Sequence, residues 1–157
     1  MADDSILYEK GYITYYNRAI LEIEKMIRER FADKIGKDKD DLNAVLENIK
    51  FTVDDLLEAY EPFEIIFPKK YEIMEILKKN YKANIEQMIM PLMMDEEKLS
   101  SSPGLWIYLI SWIEGYEDLC IKVGLDGFEF PELKNVIFFK LINKACRIIH
   151  AQIHGTH

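Results

Sequence analysis

This sequence predicts an all-α fold, an elongated and mostly antiparallel bundle of about five helices, and three observations carry the prediction. Apolar residues recur at alternating steps of three and four along most of the chain, which places them on one face of each helix. No segment alternates apolar and polar residues between hairpin turns. Pro68 and Pro103 stand where helices can begin, because a first-turn proline leaves no amide unbonded and its fixed φ already suits the helix. Helices of about 20 residues are about 30 Å long, which favours a long bundle over a compact globin-like packing. The 157 residues suit a single domain, residues 1–157, that buries about 68–70% of its extended surface.

The first helix is expected over about 12–31, with Ile13, Tyr16, Ile20, Ile23 and Ile27 along its inner face. Gly36 breaks the pattern within a charged turn, and Asp40 or Asp41 can cap the next helix. That second helix, about 42–60, buries Leu42, Val45, Ile49, Val53, Leu56 and Tyr60, and Pro62 ends it by restricting the residue before it. The third, about 68–90, opens on Pro68 with Phe67 left at the cap position and Ile66 packing on Tyr71 as a hydrophobic staple. It runs through Met74, Leu77, Tyr81, Ile85 and Met88 until Pro91 interrupts it. The fourth, about 103–123, starts at Ser102-Pro103; Leu105, Leu109, Trp112, Tyr116, Leu119 and Val123 form its stripe, widened by Trp106, Ile110 and Ile113. Gly124 closes it with a left-handed residue. The fifth, about 131–153, begins at Pro131 and turns Leu133, Ile137, Leu141, Ala145, Ile148 or Ile149, and Ile153 inward.

Apolar residues make up 49% of the chain and charged residues 31%, an ordinary soluble composition with a formal charge of −8. That charge opposes nucleic acid as a partner, since phosphate binding needs a basic footprint. It also makes any membrane association indirect, because an acidic body repels anionic headgroups. Residues 131–157 carry four cations against Glu132, a local +3 that leaves −11 elsewhere. Docking of this basic helix on the acidic body is the plain reading, docking on a foreign acidic surface the other. Cys120 and Cys146 sit among apolar residues without a C-x-x-C motif and read as reduced core thiols of a cytosolic protein. The amino terminus has no secretory h-region, and no apolar run is long enough to span a bilayer.

Catalytic chemistry finds no foothold. His150, His154 and His157 are the three histidines, and no H-E-x-x-H or E-x-x-H motif accompanies them, so neither a metal nor another cofactor is expected. Carboxylate pairs such as Asp54-Asp55, Glu72 with Glu75, and Glu114 with Glu117 alternate with lysines or lie on solvated faces. Ser100, Ser101 and Ser102 lack a nucleophile elbow, and no glycine-rich phosphate loop occurs. Met88, Met90, Met93 and Met94 flank Pro91 as either an adaptable contact surface or a loosely packed helix end. Contact chemistry is better represented. Tyr15 and Tyr108 leave the main stripes, and Val136, Phe138 and Phe139 lie in a consecutive apolar run that points all around its helix. These five are the candidate partner-contact residues, whereas Trp112 and Tyr116 are expected in the core.

Phe67, Pro68, Tyr71, Glu72, Ile73 and Tyr81, then Trp112, Ile113, Tyr116, Glu117, Leu119 and the Gly124-Leu125-Asp126 exit, form a pattern that resembles the exocyst complex component 3 family. A fainter likeness reaches upstream through Arg30-Phe31 and LNAVLENIKFTVDDL, so that it covers about residues 20–127. The resemblance implies one segment of a longer helical rod, a scaffold and not an enzyme, acting in vesicle docking and exocytosis through protein contacts. It further implies sister exocyst subunits and SNARE proteins as partners, and a cytoplasmic place at the plasma membrane or vesicle through the complex. The exposed apolar seams would also let an isolated chain self-associate. From the residues alone, an unrelated intracellular helical adaptor or regulatory domain stays open; a helical enzyme with a bundle-core site lacks its metal motif.

Overall fold

A computed structural model of the chain describes residues 2–68, 72–95 and 104–155, with side chains from Thr14 onward. Six helices and no strand lie among the described residues: α1 Ala2–Ile35, α2 Leu42–Asn48, α3 Phe51–Ile66, α4 Ile73–Met94, α5 Gly104–Lys122 and α6 Pro131–His154. Two compact units divide the chain, Met1–Ile85 and Glu86–His157, and the division falls within α4.

In the first unit α1 contributes Ile27, Phe31 and Ile35 to the core, while Tyr16, Ile20 and Ile23 are half-buried. The expected stripe member Ile13 lies outside the residues whose side chains are described. Asp41 caps α2, its Oδ1 accepting from the amides of Asn43 and Ala44 at 3.1 and 3.4 Å.

The single helix expected over 42–60 is two helices. At Ile49 and Lys50 the backbone stays right-handed but tightens, so that the Thr52 amide donates to the Ile49 carbonyl at 3.0 Å and the Val53 amide to that of Lys50 at 3.3 Å. Buried Thr52 adds its hydroxyl to the Ile49 carbonyl at 2.7 Å, a local bond that competes with the α-helical ladder. Val45, Leu46, Ile49, Val53 and Leu56 are buried, and Tyr60, expected inside, is exposed.

Neither internal proline ends its helix. α3 continues through Pro62 and α4 through Pro91, both on exposed faces where a carbonyl deprived of its amide partner can be hydrated. Phe67 is the carboxyl cap of α3, extended at φ −108° and ψ 130°, and does not open the next helix. Pro68 forces that extension on its predecessor and itself lies in no helix; α4 starts at Ile73. Glu72 precedes α4 at φ 50°, a left-handed angle unusual for a residue with a Cβ. The Ile66–Tyr71 staple falls partly on residue 71, outside the described residues, as do the Ser102-Pro103 start and Ser100 to Ser102. Ile73, Leu77, Tyr81 and Ile85 complete the core of this unit.

The second unit packs Ile89, Leu92 and Met93 of α4, five residues of α5, and Leu133 and Ile137 of α6. Met93 is fully buried and Met94 exposed, so the methionines do not form one surface. On α5 the inner stripe is Trp106, Leu109, Ile113, Tyr116 and Cys120, turned by a residue from the expected one: Trp112 is half-buried and Leu119 exposed. The α5–α6 connection supplies the reason, since it buries Leu125, Phe128 and Phe130, and Tyr116 meets the last two edge-on at 6.3 and 5.9 Å. α6 begins at Pro131 as expected, yet its inner face ends near Leu141; Ala145, Cys146, Ile148, Ile149 and Ile153 are exposed. Cys146 is therefore not the core thiol its apolar neighbours suggested.

Candidate functional site

Two polar nodes hold the helices of the units in register. In the first unit the Arg30 guanidinium of α1 grips the Asp55 carboxylate of α3, Nε to Oδ2 at 3.0 Å and Nη2 to Oδ1 at 2.7 Å. The Tyr81 hydroxyl of α4 donates to the same Oδ2 at 2.9 Å. Phe31 packs edge-on against Phe51 at 5.1 Å and tilts toward Tyr81 at 6.0 Å, while the guanidinium lies 5.6 Å over the Phe51 ring. One carboxylate thus joins three helices through charge-assisted bonds over an aromatic floor.

In the second unit Glu117, buried on α5, reaches the start of α6. Its Oε2 accepts from the Phe130 amide and from Lys134 Nζ, both at 3.2 Å, and its Oε1 lies 2.8 Å from the same ammonium. Phe130 is the amino-terminal cap residue of α6 and makes no side-chain cap of its own, so Glu117 provides an anion to the positive end of α6 from a neighbouring helix. Trp112 stacks on Tyr116 at 5.3 Å beside this node.

Neither node is built for catalysis. Burial, then the Asp55 charge, pushes the Tyr81 phenol well above its ordinary value, which keeps it protonated. Burial pushes the Cys120 thiol up to about 11, the opposite of an activated nucleophile. The partner Glu117 raises the Lys134 ammonium, and the bond to Asp55 raises Arg30, so both remain cations. The His150 and His154 rings lie 4.3 Å apart, tilted by 44°, on the exposed end of α6, and among the described residues no group of three histidine, cysteine or carboxylate side chains could hold a metal. A shallow apolar cleft at the α3–α4 corner is lined by Phe63, Phe67, Ile73 and Met74 and rimmed by Glu64, Glu72 and Glu75; Phe63 and Phe67 stack at 5.5 Å. No helix among the described residues is long and apolar enough to cross a membrane.

Large apolar side chains also lie on the surface. Tyr15 projects from α1 in the first unit, 72% exposed. Tyr108 on α5 and Phe138 and Phe139 on α6 are exposed in the second, and Val136 is half-buried. Sequence reasoning missed Leu21 and Met26 on α1, Ile65 and Ile66 on α3, and Ile107 and Ile121 on α5, all exposed. Their positions lie off the inner stripes, and that was the available signal. It also missed that Asp55 and Glu117 are junctions; a carboxylate embedded in an apolar helical run, as in VDDLL and WIEGYED, was the hint.

The family described as exocyst complex component Sec6 matches residues 13–144. The match extends beyond 20–127 at both ends and takes in the first half of α6, which the sequence likeness had left out. No solved structure matches the chain. Arg30, Phe31, Asp55 and Tyr81, and Trp112, Tyr116, Glu117, Gly124 and Leu125, all fall inside the matched span, where they form the two nodes and their surroundings.

Proposed function

This chain belongs to the exocyst complex component Sec6 family, components of a vesicle-tethering complex of exocytosis, and we propose that it is a non-catalytic scaffold segment of such a complex. The family match over residues 13–144 carries this reading. The likeness through Phe67 to Tyr81 and Trp112 to Asp126 favours component 3 as the kind of subunit.

Its mechanism is mechanical. The Arg30–Asp55–Tyr81 and Glu117–Phe130–Lys134 nodes stiffen each unit, and exposed apolar side chains, Tyr15, Tyr108, Phe138 and Phe139 among them, specify neighbours. Sister exocyst subunits are the first partners under this reading, SNARE proteins the second, and a second copy engages exposed residues outside α6, Tyr15 and Tyr108, when no partner is present. Attachment to plasma membrane or vesicle is then indirect, from the cytoplasm, through the assembled complex.

Affinity purification of the tagged chain from its own cell lysate tests the proposal. Recovery of exocyst subunits is expected. Recovery of unrelated signalling proteins alone would instead make it a helical adaptor.

A further inference from the structure

We propose, resting on the scaffold reading, that the outward face of α6 between Phe138 and Ile153 receives an acidic amphipathic helix of a partner protein. Phe138, Ile142, Ile149 and Ile153 follow one another at steps of four, seven and four, and so form one ridge. They are 48%, 59%, 56% and 61% exposed, with exposed Phe139 and Cys146 beside them. Leu133 and Ile137, the buried residues of α6, project to a different side. One side of α6 is thus committed to its own unit while a second apolar side stands open for about 22 Å at the rise of an α-helix, long enough for a paired helix.

Charge selects the occupant. After Glu132 the sequence has no aspartate or glutamate; Glu117 engages Lys134, Trp106 engages Lys140 and the Lys144 ammonium is buried, which leaves Arg147 as the exposed cation of α6. Arg147 lies two four-residue steps beyond Phe139, and exposed His150 and His154 follow on the same flank. Pairing α6 with α6 of a second copy would bring these basic flanks together with no carboxylate between them, which disfavours that dimer. An anionic bilayer is disfavoured as well, since lipid recognition takes a cluster of about 4–8 basic residues. Here Glu117 holds Lys134, Lys140 lies 5.7 Å over the Trp106 ring, and the rest of the chain is acidic. A helix with an apolar seam and glutamate or aspartate flanks satisfies both the ridge and the charge.

The test uses the full chain and three labelled designed peptides that share one leucine seam and differ only in glutamate, lysine or serine flanks, read by fluorescence anisotropy. The glutamate peptide should bind at least about tenfold tighter than the lysine peptide, with the preference shrinking as salt is raised. Ile142→Glu with Ile149→Glu should abolish binding of all three, and Arg147→Glu with His150→Glu should remove the preference, both at unchanged helical circular dichroism. Should the double glutamate variant unfold, the single exposed change Phe139→Ser serves and should weaken binding severalfold. Equal or tighter binding of the lysine peptide, a dimer abolished by these same α6 substitutions, or phosphatidylserine-vesicle binding lost with them would each overturn the proposal. Failure of the scaffold reading looks different: wild type that binds the glutamate peptide but recovers no exocyst subunit refutes that reading alone, whereas an Ile142→Glu, Ile149→Glu chain that recovers them as well as wild type refutes only the α6 surface.

Discussion

Asp55 shows how much one residue organises, because its carboxylate accepts from Arg30 on one helix and Tyr81 on another. Asp55→Ala leaves a half-buried guanidinium and a buried phenol without their acceptor and should cost about 2 kcal/mol. Arg30→Ala removes the more exposed partner while Tyr81 keeps its bond, so about 1 kcal/mol is expected. Urea denaturation of the two single variants checks the order; an Arg30→Ala loss larger than that of Asp55→Ala would show that Asp55 is not the hub. The two thiols offer a second residue-scale test. Exposed Cys146 should react with a thiol reagent in the native protein, and Cys120 only after unfolding. Burial raises the Cys120 pKa from 9.0 to about 11, so the folded state holds its proton where the unfolded state has released it. Stability from this group is full below pH 9 and falls between pH 9 and about 11, with Tyr81 adding to the loss in the same direction from its ordinary value of 10 upward. Cys120→Ala should lower the thermal midpoint at pH 7 through a cavity and yet flatten its decline above pH 9. An unchanged alkaline slope would contradict the assignment.

At the scale of elements, α5 ends in a Schellman arrangement: the Leu125 amide donates to the Cys120 carbonyl at 2.8 Å and the Gly124 amide to that of Ile121 at 3.1 Å. Gly124 has φ 86°, and a Cβ there would meet nothing within 4 Å. The cost of a side chain is accordingly conformational and not steric: Gly124→Val should destabilise by about 1–2 kcal/mol and Gly124→Ala by about 1. A denaturation midpoint unmoved by valine would mean that α5 closes differently. The far end of α6 should behave otherwise. His150 and His154 are exposed in its last turns, so replacing both by alanine should leave the thermal midpoint unchanged, with or without added zinc. A zinc-dependent rise in wild type that the double variant lacks would reveal a metal site.

For the molecule as a whole the balance is between a formal charge of −8, which favours solubility, and exposed apolar side chains on five helices. Sedimentation velocity at micromolar concentrations should show weak self-association of the isolated chain, relieved by Tyr15→Ser plus Tyr108→Ser, both outside α6. The thermal midpoint should hold, since both residues are exposed. A strictly monomeric chain that binds no dye would remove exposed apolar surface as a driving force for assembly.

Periodicity was enough to read the all-α class, a cap at Asp40 or Asp41 (Asp41 is the one used), the Pro131 start, the left-handed Gly124 and the outward Phe138 and Phe139, because each depends on neighbours within about two turns of the chain. Local rules misjudged Pro62 and Pro91, whose helices continue where the proline side faces outward, and could not locate the tightened turn that Thr52 makes at Ile49. The rotation of the α5 stripe away from Trp112 and Leu119 was beyond them as well, since the covering residues Leu125, Phe128 and Phe130 arrive only when the connection folds back. Nor does spacing reveal that Asp55 and Glu117, two of the 28 carboxylates, are junctions: Arg30 is 25 residues from Asp55 and Lys134 is 17 from Glu117. Helix type is set by torsions and short-range periodicity, whereas the partner of a charge and the side of a helix that is buried depend on which distant segment packs there, and only tertiary structure decides that.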